Sequence, residues 1–217
     1  SYTADVRTDP RVVKVQVERA ARGIRGTVVS SPLWACFAVL ATGHIDPVLG
    51  TVPFVRGLSL IALILVSMIF AQLVLNAYRA RIETADEKAV ESWWYRLLAL
   101  NTFLSVVWGF APWLLWDPVH RVNHFFIALI CLAIVTRFLV NRSNHLPFFI
   151  GSFMPLAAML FLRAALSFDA ADLVLAAIVP LYAIQVYWES SHISQRWDQE
   201  AHMRFVNGDI TSALEDA

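Results

Sequence analysis

Charge vanishes from this sequence for long intervals, and no other feature restricts the fold as strongly. Thr27–Gly43, Gly57–Tyr78, Leu97–Trp116, Leu146–Leu162 and Leu173–Trp188 carry no charged residue, and Val122–Val140 carries only Arg137. A helix needs about 20 apolar residues to cross a bilayer, with roughly 17–25 as the working range. Inside lipid every backbone polar group must be paired within its own segment, which favours helices. The runs lack the short, period-two alternation of barrel strands. The expected fold is all-α: a polytopic membrane protein with a six-transmembrane-helix bundle and cytoplasmic N- and C-terminal helices. The composition agrees, with 58% hydrophobic and only 16% charged residues in 217.

Short connections suit a compact bundle. His44–Pro53 contains Asp46-Pro47 and Gly50, Asp117-Pro118 follows the third run, and Asn141–His145 and Ser167–Asp172 join the later ones. Only Arg79–Arg96 is longer, and it is highly charged. No internal repeat is visible, against a transporter built from inverted halves. With a cytoplasmic N-terminus, fourteen Lys and Arg residues fall inside and three, Arg56, Arg121 and Arg163, fall outside. That asymmetry predicts both termini in the cytoplasm. Trp93, Trp94 and Tyr95 at one interface and Trp113 and Trp116 at the other fit aromatic belts. The first 26 residues are polar and lack the apolar core of a signal peptide. The expected organisation is therefore a cytoplasmic N-terminal helix (1–26), a six-helix transmembrane domain (27–188) and a cytoplasmic juxtamembrane helix (189–217). Equal numbers of basic and acidic residues suggest no nucleic-acid partner. Cys36 and Cys131 lie in apolar runs and read as small buried residues.

Beyond Trp188 the chain turns polar but keeps a helical pattern. Met203, Val206, Ile210 and Ala213 follow 3-4-3 spacing, the start of a heptad seam for a parallel homodimer, with Asn207-Gly208 interrupting it. An unfinished seam of this kind reads as the start of a longer coiled coil, against the alternative of a frayed amphipathic juxtamembrane helix, since His192, Arg196 and Gln199 break the pattern upstream.

Nothing here resembles a nucleophile motif, a P-loop or a dinucleotide fingerprint, so this chain is expected to be non-catalytic. His120 and His124 are spaced i, i+4 and share a helix face, with His44 in a loop on the same side. Three imidazoles there make a candidate zinc or copper site; the competing reading is interfacial histidines that cap loops, and a haem is disfavoured because His145 lies at the opposite face and His44 sits in a loop. Trp108, Trp113, Trp116, His124 and Phe125 gather at similar depth with Arg163, one of two embedded cations beside Arg137. Aromatic walls with one arginine suit a small amphipathic ligand bearing a carboxylate, against the alternative of an aromatic belt and a snorkelling arginine. Asn101, Gln72 and Asn76 are expected to hydrogen-bond between helices. Asp46, Asp117, Asp169 and Asp172 are read as loop residues. Without a buried carboxylate, proton-coupled transport is disfavoured. Pro32, Pro112, Pro155 and Pro180 are candidate hinges within the spans.

Three features resemble the N-terminal six-helix membrane sensor region of bacterial sensor histidine kinases, also found ahead of diguanylate cyclase domains. One is the aromatic start of the third span and its Trp-Gly end, Trp93–Arg96 through Val107-Trp108-Gly109-Phe110. A second is Leu146-Pro147-Phe148 with the later Met154-Pro155-Leu156 and Arg163. The third is the polar helix that leads towards a coiled coil at Ala213–Ala217. The similarity runs from about Val12 onwards. The catalytic histidine, nucleotide-binding domain and GGDEF motif of those proteins are absent from this chain, so no active-site residue carries over. The resemblance implies a sensory input domain in the bacterial inner membrane, homodimeric, passing a signal to a cytoplasmic kinase or cyclase domain of the same chain. The contrasting class is a stand-alone small transporter or scaffold.

Overall fold

Each uncharged run becomes a helix, and most helices extend beyond the run that announces them. The computed structural model describes residues 10–45, 52–142 and 145–215. Helix α1 spans Pro10–Leu40 and ends in a π-helical turn, Ala41–Ile45. Helices α2 (Phe54–Ile82) and α3 (Glu87–Gly109) follow, then a short α4 (Ala111–Leu115). Helices α5 (Arg121–Arg142), α6 (Leu146–Ala165) and α7 (Ala170–Glu215) complete the bundle. Six segments are long and apolar enough to cross a membrane, and no strand occurs among the described residues.

Charge distributes unevenly between the two ends of this bundle. Arg79, Arg81 and Arg96 lie at one end, while Arg56, Arg121 and Arg163 lie at the other, called here the charge-poor end. The charged segment Arg79–Arg96, expected as one long connection, is mostly helix. Helix α2 runs on to Ile82, and α3 starts at Glu87 because the Asp86 carboxylate accepts the Ala89 backbone N–H at 2.8 Å. Pro112, expected as a kink inside the third span, instead occupies the first turn of α4, after a break at Gly109-Phe110. A missing N–H costs nothing in a first turn. Pro32, Pro155 and Pro180 do lie inside helices.

Helix α6 is the central element, in contact with α3, α5 and α7. Its buried residues Phe148, Phe149, Ser152, Phe153, Leu156, Ala157, Leu160 and Ala164 form a wide stripe at helical spacing. Between α3 and α6 the Asn101 amide donates to Phe148 O at 2.7 Å and accepts from Ser152 Oγ at 2.9 Å. Ser105 adds a bond to Ser152 O. Gln72 and Asn76 depart from expectation: they bond to each other along α2, at 2.9 Å, rather than across helices. Cys131 is buried, but Cys36 is exposed on the surface of α1.

The α3–α6 contact is close because residue 151 has no side chain. A Cβ there would lie 2.5 Å from Thr102 Oγ1 and 3.3 Å from Leu98 Cδ1. Thr102 Oγ1 is held by its own bond to Leu98 O, at 3.0 Å. Gly151→Val is therefore expected to destabilise the bundle by about 1–3 kcal/mol, the usual scale for overpacking. Unfolding of the purified protein in micelles measures this.

Helix α7 is the longest element, with 46 residues. At 1.5 Å per residue it extends about 70 Å, more than twice the hydrocarbon thickness of a bilayer. It continues through Asn207-Gly208 without a break. Met203 is exposed, whereas the side chains of Val206, Ile210 and Ala213 fall outside the described residues, and the expected seam falls with them. Near the arginine-rich end, the Arg19 guanidinium of α1 lies 3.4 Å from the centre of the Trp197 ring of α7.

Candidate functional site

Two turns at the charge-poor end bring a set of polar side chains together. After α4 the chain turns at Asp117-Pro118, where Asp117 Oδ1 accepts the Val119 N–H at 2.9 Å. Asn123 Oδ1, from the first turn of α5, accepts the Asp117 N–H at 2.9 Å. The second turn joins α6 to α7. Phe168 there has φ of 55°, a left-handed conformation unusual for a bulky residue, with its ring exposed. That turn sets Asp169 to cap α7: its Oδ1 accepts the Ala171 N–H at 2.9 Å. Arg121 bridges the two turns with a 2.8 Å bond to Asp169, largely in the open.

Asp172, one turn later, is 2% exposed. Its Oδ1 lies 2.7 Å from His124 Nδ1, joining α7 to α5. The other ring nitrogen, Nε2, lies 2.6 Å from Asp117 O. A carbonyl oxygen can only accept, so Nε2 carries a hydrogen. Asp172 then accepts from a protonated Nδ1, or donates as a carboxylic acid to a bare one. Either way the buried His124–Asp172 pair holds two protons and is neutral overall. Trp116 stacks on the His124 ring, with centroids 4.1 Å apart and 22° between planes. The Arg163 guanidinium of α6 lies 4.8 Å from the Trp116 ring centre, a cation–π contact.

Hydrogen bonding in this cluster is incomplete. Trp116 Nε1, Asn123 Nδ2 and Asp172 Oδ2 are buried and have no hydrogen-bond partner among the described residues. Buried polar groups normally find partners, so unsatisfied ones mark strain or a place for water or ligand. Two open donors and one open acceptor would serve water or a small polar group.

The residues expected to form one pocket divide. Trp116, His124 and Arg163 come together as described. Trp108 does not join them: it faces α1, where its Nε1 donates to Ser31 Oγ at 3.2 Å. Trp113 Nε1 donates to Met159 O at 3.2 Å on the bundle surface, and Phe125 is exposed. Of the candidate metal ligands, the His44 side chain falls outside the described residues. His120 pairs with Asp117 Oδ2 at 2.9 Å, and both nitrogens of His124 already face oxygens. Among the described residues no three His, Cys, Asp or Glu side chains gather as a metal would require.

Two expectations are corrected. Asp172 is a buried helix residue rather than a loop residue, so a shielded carboxylate is present after all. Arg137 does not extend freely to an interface, because its guanidinium donates to Gly26 O of α1 at 2.7 Å and bonds to Ser30 Oγ. The partner of His124 was within reach of sequence reasoning. Asp169 and Asp172, three apart before an apolar run, follow the spacing of a capping box, which starts a helix at Ala170 and puts Asp172 within its first turn. No family model matches this chain, and neither does any curated protein or solved structure.

Proposed function

We propose that this chain is the membrane-embedded input domain of a bacterial sensor histidine kinase in the inner membrane, with both ends of the chain in the cytoplasm. One observation carries the reading. Helix α7 begins in the buried polar cluster, where Asp172 pairs with His124, and continues as one helix to Glu215, past its contact with Arg19 of α1 at Trp197. A change at the charge-poor end that loosens or re-seats the first turn of α7 moves the whole rod. Two discrete packings of the bundle, biased by a ligand or by the membrane, are sufficient for a switch. A rotation or slide of about 1–2 Å is enough for such helices to signal. Arg163, with its charge over Trp116, is the group to meet a carboxylate on a small amphipathic ligand. Two copies pair through Met203, Val206, Ile210 and Ala213 and place their output domains side by side. A diguanylate cyclase is the alternative output.

A second reading gains from the buried pair: a small proton-coupled transporter also needs a shielded histidine and carboxylate. It lacks the repeated halves of many transporters, and it gives no role to the long extension of α7. The deciding experiment incubates the intact gene product in membrane vesicles with labelled ATP and, separately, labelled GTP. Phosphate on a histidine supports the sensor kinase, and cyclic di-GMP supports the cyclase. A proton-driven flux with neither product would establish the transporter.

A further inference from the structure

A small cavity lies where α1, α3 and α5 meet, well away from the His124–Asp172 cluster. It has a volume of about 50 Å³, is partly open, and is lined by Thr27, Ser31 and Trp34 of α1, Trp108 of α3, and Ala133, Ile134, Arg137 and Phe138 of α5. No carboxylate is among these residues. Much of the wall is aromatic or aliphatic. The polar part is the Thr27 and Ser31 hydroxyls, the Trp34 and Trp108 indoles and the Arg137 guanidinium.

Trp108 Nε1 donates to Ser31 Oγ at 3.2 Å. That bond occupies a lone pair of the hydroxyl and turns its hydrogen away from the indole. Ser31 is 3% exposed, and its hydroxyl hydrogen has no acceptor among the described residues. Thr27 differs, because its hydroxyl donates to Gly23 O at 3.1 Å. Arg137 is anchored on α1 through Gly26 O and Ser30 Oγ. A guanidinium has a permanent charge and five N–H donors in a planar fork, so it can hold α1 and face the cavity together.

We propose that this cavity is a binding site for a small monovalent inorganic anion such as chloride, held by the Arg137 guanidinium and the Ser31 hydroxyl. The occupant must accept hydrogen bonds, carry negative charge and fit the space; a chloride ion satisfies all three. A low-dielectric wall strengthens the attraction to the guanidinium. Bound there, the anion joins α1 to α5 beside Pro32, the residue at which α1 lacks an internal hydrogen bond.

The test uses the purified chain in micelles at constant ionic strength, with gluconate replaced by chloride. Gluconate is too large for the cavity. Chloride should raise the unfolding midpoint saturably, by about 2–4 °C. Ser31→Val fills the space and removes the donor while leaving Arg137 in place, and it should abolish the chloride effect without unfolding the protein. Arg137→Gln should abolish it too, with Arg137→Lys keeping part of it. If chloride and gluconate act alike, or if Ser31→Val responds to chloride as fully as the parent, the cavity holds only water and the proposal fails.

Discussion

Asp172→Ala should lower the stability of the bundle by about 2–5 kcal/mol, the span between stranding one partner of a buried neutral hydrogen bond and of a buried ion pair. The side chains of His124 and Asp172 are 5% and 3% exposed, so solvent screens little of this loss. Without Asp172 the Nδ1 atom of His124 faces no oxygen, while Nε2 remains fixed on Asp117 O. The ring is also trapped under Trp116, at a centroid distance of 4.1 Å, and cannot swing out to water. Asp172→Asn keeps an oxygen opposite Nδ1 and should cost less, about 1–2 kcal/mol. Removing His124 as well should cost much less than the sum of the two single changes, because neither partner is then stranded. Thermal unfolding in micelles compares the parent, the three single variants and the double variant. The drop for Asp172→Ala should be roughly 10 °C. Because Asp172 belongs to the first turn of α7, the same change should release the seat of that helix and, on the proposed function, alter the output of the intact protein.

The bundle was legible because its main determinant is the absence of charge, which survives translation into structure whatever the packing partners. All six runs became helices of spanning length. Helix ends were less legible. Glu87–Arg96 looks like loop in composition, yet Asp86 caps a helix there. The candidate site was half legible. Trp116, His124 and Arg163 were singled out for aromatic density beside a cation, and they do stack. Trp108 was grouped with them on depth alone. Depth does not determine direction around a helix, and the break at Gly109-Phe110 separates the course of Trp108 from that of Trp116. Asp172 reads as a loop residue because the uncharged run begins one residue later, at Leu173, which draws the boundary on the wrong side of it. Arg137 illustrates a further limit. A lone cation in an apolar run suggests an interfacial anchor, and only the fold shows Gly26 and Ser30 of α1 receiving it.

On the proposed function α7 carries a shift from the buried cluster, past Pro180, to the output, and changing the phase of its distal part tests that directly. Alanines inserted after Glu200 leave the Arg19–Trp197 contact and everything before it intact. Each added residue rotates the distal part by about 100°, so one or two insertions turn it far out of register and seven bring it nearly back. On the proposed sensor-kinase function, the measured quantity is the rate of histidine phosphorylation by the intact protein in membranes. A rod predicts that one and two insertions shift that rate by roughly tenfold, equivalent to a bias of about 1.4 kcal/mol between two states, and that seven insertions restore the parent rate. Equal rates for the parent and all three variants would show that α7 is a passive tether and would contradict the account.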